Sequence, residues 1–318
     1  MSAEPHTKSA PAPPTALLEQ AASTRTKIAD AYPFESAWFQ APGGWLHYVD
    51  EGPTSPSGSA AAPLLCVHGN PTWSFYFRSV VRGFRETHRV VAVDHLGCGL
   101  SEKPQDWSYQ LADHVANLEA LVLELDLKNI TLVLHDWGGA IGMGVATRHP
   151  ERIGRILLGN TAAFFADRLP KRIAASRLPV LGPLLLRGFG AFSQAAVRMA
   201  VARPLDPIAK RGLLAPYGSW HDRIAQWRFV KDIPMQPSHP SWDELARIDA
   251  GLAALRTKPM GIAWGMQDWC FTPAYIDDWL KRFPDAEVTR VEAASHYLLE
   301  DAPLETLAVY RSFLEEHA

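Results

Sequence analysis

The sequence predicts an α/β protein: a mostly parallel central sheet, helices packed on both of its faces, and a helical cap inserted late in the chain. Three observations predict it. From Trp45 onward, short β-branched runs alternate with helical patterns, the signature of strands joined by crossover helices. The runs are apolar throughout, as strands buried on both faces must be. One interval of about a hundred residues, from Leu158 to Met260, then breaks the rhythm without a strand pair, far more chain than a crossover needs.

Taken in order, residues 1–30 are dominated by Ala, Pro, Ser and Thr and are expected to form a disordered tail. Trp45–Val49 alternates and turns at Glu51-Gly52, which predicts an early antiparallel strand, and Pro53 to Pro63 is a loop. Leu64–Val67, Val90–Val93, Ile130–Leu134, Ile156–Leu158, Met260–Trp264 and Val288–Val291 are the expected parallel strands. Between them, helical patterns run over Ser74–Thr87, Leu111–Leu125, Gly139–His149, Pro273–Phe283 and Ala302–Glu316. The core is therefore assigned to residues 31–162 and 256–318. The cap is assigned to 163–255, with helix-like periods at Arg172–Ser176, Phe192–Ala202 and Pro207–Leu214. Such a cap would cover the carboxyl ends of the strands, where open α/β sheets bind ligands.

Composition narrows the function. The 318-residue chain has a formal net charge of −3, so no basic field for nucleic acid or an anionic membrane is expected. Cys66, Cys98 and Cys270 lack the spacing of a zinc site or a disulfide framework. No stretch reads as a secretory signal or a membrane span, and cytoplasm is the expected compartment.

The strongest chemical signal is Leu134-His135-Asp136-Trp137-Gly138-Gly139, which follows a strand and opens a helix. That is the context of a nucleophile elbow, with Asp136 at the tip where serine is usual. A carboxylate there has a plainer reading as a helix N-cap. Its partners argue against that. His68-Gly69-Asn70-Pro71 follows an earlier strand, where an oxyanion-hole N–H arises. Asp268 leaves the strand Met260–Trp264, and His296 follows the last strand. Nucleophile, acid and base thus occur in the order that this type of hydrolase uses. His68, His95 and His135 read as loop-packing residues.

With these motifs the sequence resembles the haloalkane dehalogenase family of α/β hydrolases over about Tyr32 to the C-terminus. The matching segments are HGNP (68–71), HDWGG (135–139), DHLGCGLS (94–101), GMQD (265–268) and SHY (295–297). The resemblance implies Asp136 as nucleophile, His296 as base and Asp268 as acid. It further implies that the Asn70 and Trp137 side chains bind the leaving halide and their backbone N–H groups form the oxyanion hole. Some members carry the acid after the sixth strand, but Gly159-Asn160-Thr161-Ala162 offers no carboxylate there. The combination looks like the family's third subfamily. Two cap segments, Asn160–Phe164 and Phe229–Pro234, also resemble the β-lactone decarboxylases of bacterial olefin synthesis.

The nucleophile itself selects the chemistry. Attack by a carboxylate on an acyl carbon gives an anhydride, whereas attack on saturated carbon gives an ordinary ester that water can cleave. Haloalkane hydrolysis is the first expectation, β-lactone decarboxylation the alternative, and neither needs a metal or organic cofactor. Epoxide hydrolysis would resemble a pattern with two cap tyrosines, and Tyr217 stands alone in the cap. A non-catalytic binding module on this fold is the remaining alternative. Trp73, Phe75, Phe164, Phe165, Trp269 and Phe271 are the expected walls of an apolar substrate pocket. The apolar run Leu178–Leu186, ending at Arg187, is expected to pack internally, with a patch for self-association or an olefin-pathway partner as the alternative.

Overall fold

A computed structural model describes residues 12–53, 61–166, 170–178 and 180–318. The first ordered element corrects the expected tail: α1 (Thr15–Thr26) is helical and buries Leu17, Ala21 and Thr24, while residues 1–11 lie outside the described residues. Its anchoring is specific, since Gln20 donates to Asp222 at 2.9 Å. Most of the loop expected at 53–63 also lies outside the described residues.

The strands β1 (Ala37–Ala41), β2 (Gly44–Glu51), β3 (Leu64–Val67), β4 (Val90–Val93), β5 (Ile130–Asp136), β6 (Ile153–Thr161), β7 (Met260–Gly265) and β8 (Glu287–Val291) form one sheet. Their spatial order is β1-β2-β4-β3-β5-β6-β7-β8. The first two strands are antiparallel and β4 through β8 run parallel to β3. β1 has no counterpart in the sequence reading, because Ala37–Ala41 is half-buried and mixed in character. The central strands β3, β4, β5 and β7 are buried at every residue, which is why they read as continuous apolar runs.

The core helices are α2 (Arg78–Phe84), preceded by a 3₁₀ turn at Ser74–Phe77, then α3 (Leu111–Glu124) and α4 (Trp137–Arg148). Between β6 and β7 lie α5 (Lys171–Ser176), α6 (Leu181–Pro183) running into a π turn at Leu184–Gly188, and α7 (Ala191–Met199). The same insertion continues with α8 (Pro207–Leu214), α9 (Ile224–Lys231) and α10 (Trp242–Gly251). Pro207 opens α8 beneath an Asp206 cap that accepts from Ile208 and Ala209 N–H, a start signal written in the sequence. The chain returns through β7 to α11 (Ala274–Arg282), β8, α12 (Leu298–Asp301) and α13 (Pro303–Glu316). No helix among the described residues is long and apolar enough to cross a membrane.

Two apolar cores flank the sheet, one centred on α3, α4 and α11 and the other on α2 and α13. Trp73 and Phe75, expected as pocket walls, belong to the second. They stack with ring centroids 5.5 Å apart, and the Trp73 indole donates to the Gly212 carbonyl. Both are fully buried, so burial pressure places them in the core rather than on the cavity. Gly212 has to be glycine, because a Cβ there would lie 2.0 Å from the Phe75 ring.

Leu178–Leu186 is a second correction. Leu178, Leu181, Leu184 and Leu185 are exposed, and only Gly182, Leu186 and Arg187 turn inward. Tyr217 packs as expected for a turn aromatic: its hydroxyl accepts from Gly99 N–H and donates to the Thr72 carbonyl, tying the insertion to two core loops.

Candidate active site

Asp136 closes β5 with φ 52° and ψ −129°, the sharp turn that lifts one side chain above the sheet. It makes no side-chain cap bond to α4, so the plain helix-cap reading fails. Neighbouring glycines make room for the turn. A Cβ at Gly69 would sit 2.0 Å from Asp136 Oδ1, and one at Gly138 would sit 1.9 Å from the Val67 carbonyl oxygen. The Thr161 hydroxyl donates to the Asp136 carbonyl and fixes the backbone from the β6 side.

The other expected site residues converge on this carboxylate. Asn70 backbone N–H donates to Asp136 Oδ1 at 2.5 Å, and the nearby Trp137 backbone N–H also favours the carboxylate charge. His296 Nε2 lies 3.6 Å from Asp136 Oδ2, and its Nδ1 lies 2.7 Å from Asp268 Oδ2. All three side chains are buried. Phe271 stacks on the His296 ring with planes 10° apart, and the His135 ring packs on it at 4.6 Å. His135 Nε2 further bonds the His296 carbonyl at 2.8 Å, which gives that loop histidine a supporting role.

Burial pushes the Asp136 carboxyl upward, and the His296 charge with the two backbone N–H groups only partly offsets it. For His296, burial pulls the imidazole down, but Asp268 and Asp136 together outweigh it and the net shift is upward. Burial, reinforced by the neighbouring His296 charge, lowers His135 strongly, so the ring behind the site stays neutral.

Asn160 was absent from the sequence-derived site. Its Nδ2 donates to Asp268 Oδ2 at 3.0 Å and to the Gly265 carbonyl at 3.0 Å, and its Oδ1 accepts from Gly265 N–H at 2.8 Å. It sits at the β6 position inspected for an acid. The amide there holds Asp268, beyond the next strand, instead. The Asn70 amide is also engaged differently from expectation, donating to the Gln226 carbonyl on α9 at 3.1 Å. That bond spans core and insertion and leaves one Nδ2 hydrogen for another acceptor. No acceptor for the Trp137 indole N–H occurs among the described residues, and the ring lines the cavity.

The cavity above Asp136 has a volume of about 420 Å³ and a lining that is mostly apolar. Of the six expected wall residues, Phe164, Phe165, Trp269 and Phe271 line it. Leu111, Ile173, Phe192, Val230, Ile233 and Tyr275 also do, and four of these are not marked by any local motif. Val230 and Ile233 fall within Phe229–Pro234, a segment noted for its resemblance.

Comparison with known proteins agrees with this architecture. The alpha/beta hydrolase fold family matches residues 62–303. The chain is 40% identical over 291 residues to a cis-3-alkyl-4-alkyloxetan-2-one decarboxylase of Shewanella oneidensis, covering 89% of both chains. It is 37% identical over 279 residues to haloalkane dehalogenase 2 of Mycobacterium tuberculosis, covering 86% of this chain and 92% of the relative. The crystal structure of haloalkane dehalogenase DatA from Agrobacterium tumefaciens superposes with a TM-score of 0.79 at 26% identity, covering 89% of this chain and 97% of that one.

Proposed function

We propose that this chain, which belongs to the α/β-hydrolase family and is a dehalogenase- or decarboxylase-like enzyme, uses Asp136 to displace a leaving group from saturated carbon. The observation that carries the reading is a buried carboxylate, free of any helix-capping bond, at an apolar cavity with an imidazole 3.6 Å away. Asp136 attacks in line and becomes an ester, and Trp137 and Asn70 face the departing anion with N–H groups. Asp268 holds the imidazole so that Nε2 faces the reacting centre.

The substrate we assign first is a cis-3,4-dialkyl β-lactone. The 40% relative bears the name of such a decarboxylase, and the apolar cavity suits two alkyl arms. Asp136 Oδ bonds to ring C4 as the C4–O bond breaks, and the ring oxygen departs as a carboxylate still tethered through C3. The C3–carboxylate bond then breaks, and its electron pair forms the C3=C4 double bond. Carbon dioxide leaves and the C4–O bond to Asp136 breaks, restoring the carboxylate. Inversion at C4 followed by anti elimination gives the cis alkene. In this route His296 keeps Asp136 ionised against its burial.

Haloalkane hydrolysis is the second reading, favoured by the 37% relative and by the indole N–H open toward an anion. Here halide leaves, His296 takes a proton from water, and the hydroxide formed cleaves the Asp136 ester to an alcohol. Offering one preparation a cis-dialkyl β-lactone and a 1-bromoalkane, and measuring alkene and bromide, separates the two. His296→Ala with the bromoalkane should add the alkyl mass to the protein. Undiminished turnover by Asp136→Ala on both substrates would end the proposal.

A further inference from the structure

We propose that the insertion docks on an anionic lipid bilayer through the segment from Arg172 to Arg203, so that the cavity mouth faces the membrane. The segment contains five arginines and neither Asp nor Glu, in a chain whose overall formal charge is −3. Six of its apolar side chains are exposed. Val180 is 82% and Phe189 72% exposed, and Leu178, Leu181, Leu184 and Leu185 are exposed beside them. They lie on the short helix Leu181–Pro183, the π turn Leu184–Gly188 and the residues immediately flanking them. Arg172 on α5 and Arg198 on α7, the helices before and after these residues in the chain, are exposed.

The inner side is fastened, so these leucines have no route inward. Arg187 is buried, its guanidinium lying 4.6 Å from the Trp220 ring centroid and bonding the Trp220 carbonyl and Gln105. Arg223 reaches the carbonyls of Arg187 and Gly188 at 2.7 and 3.1 Å. An apolar face flanked by arginine is what an interfacial helix presents to headgroups and acyl chains.

Charge decides among the occupants. A two-fold contact with a second copy would bring this segment against itself, and the segment holds no Asp or Glu to pair with its arginines. An anionic bilayer supplies the missing negative charge, with about 1 kcal/mol of attraction per arginine near the surface. The same segment also lines the cavity: Arg172, Leu185 and Phe192 contribute to its wall, and the first two are exposed. Docking through this face opens the apolar cavity toward the bilayer, where an apolar substrate partitions. The inference does not depend on which leaving group Asp136 displaces.

The test is co-sedimentation of the full chain with vesicles of equal parts phosphatidylglycerol and phosphatidylcholine, against pure phosphatidylcholine. The variants are L181D/L184D and R198E, none of which lines the cavity, with folding checked by circular dichroism. The expected result is binding to the anionic vesicles that weakens with salt, and that falls roughly tenfold or more in each folded variant. Absent binding, equal binding to neutral vesicles, or unchanged binding by the folded variants would overturn the proposal. So would a dimer in size-exclusion chromatography that L181D/L184D dissolves, if it came without vesicle binding.

Discussion

Replacing Asp268 by Asn tests the proposed site at its most constrained point. Asp268 Oδ2 faces His296 Nδ1 at 2.7 Å and accepts from Asn160 Nδ2 at 3.0 Å, and Oδ1 accepts from Cys270 N–H at 2.6 Å. Every partner donates. An amide offers one accepting and one donating end, so either orientation sets an NH₂ against a donor. With the NH₂ toward Cys270, a buried N–H goes unsatisfied at about 1–3 kcal/mol. With the NH₂ toward His296, the imidazole relieves the clash by moving its proton to Nε2, the atom that must accept one from water. That tautomer cannot act as base. An equivalent loss in a triad of this logic costs about 10⁴ in rate, close to 5.4 kcal/mol of barrier. The assay is a bromoalkane reaction followed from the first turnover. D268N should release bromide in a burst of one equivalent and then stall as the alkyl-enzyme. Steady turnover within tenfold of the native enzyme, without a burst, would refute the reasoning.

The remaining predictions concern charge and packing. Burial holds the Asp136 pKa above its ordinary value, so the native state binds an extra proton between the unfolded and the folded pKa, and stability falls as pH rises through that window. D136N should therefore raise Tm at pH 7 while abolishing turnover, and an unchanged or lower Tm measured by calorimetry contradicts the sign. Asp232, which accepts from Leu111 N–H at the start of α3 and from Ser241, is pushed up to about 7 by its burial. Stability measured against pH should thus fall from about pH 4 to 7 more steeply in the native chain than in D232N. Gly138→Ala places a methyl 1.9 Å from a backbone carbonyl that cannot move aside. It should cost at least about 3 kcal/mol in urea unfolding.

The sheet was legible because burial on both faces writes strands as apolar runs, and those runs locate the turns that follow them. Asp136, Asp268 and His296 each lie at or a few residues beyond a strand's carboxyl end, in β5, after β7 and after β8. A one-dimensional reading reaches that far because the fold itself gathers strand ends. Trp73 and Phe75 show where it stops. They lie three to five residues beyond Asn70, yet their rings face the opposite core, since sequence proximity to a site residue carries no information about which side of the sheet a loop side chain enters.

Asn160 escapes for a different reason: the position is read for a possible acid and as part of the resembling segment Asn160–Phe164, but not as a partner of Asp268. Its work consists of hydrogen bonds to Gly265 at the end of β7 and to Asp268 just beyond it, 105 and 108 residues away, which no local pattern encodes. The same holds for α9 and α10, whose short apolar stripes gave no clear period, and for the Asn70–Gln226 bond that ties α9 to the loop after β3. The exposed leucines follow from that difference as well. An apolar run reads as interior by default, but a run of nine residues carrying two prolines and a glycine cannot pack as a strand or as a long helix. It winds instead into a short turn, fastened at Arg187, that has only one inner face. The side chains left outside are a consequence of that geometry, and they put apolar surface at the mouth of an apolar cavity.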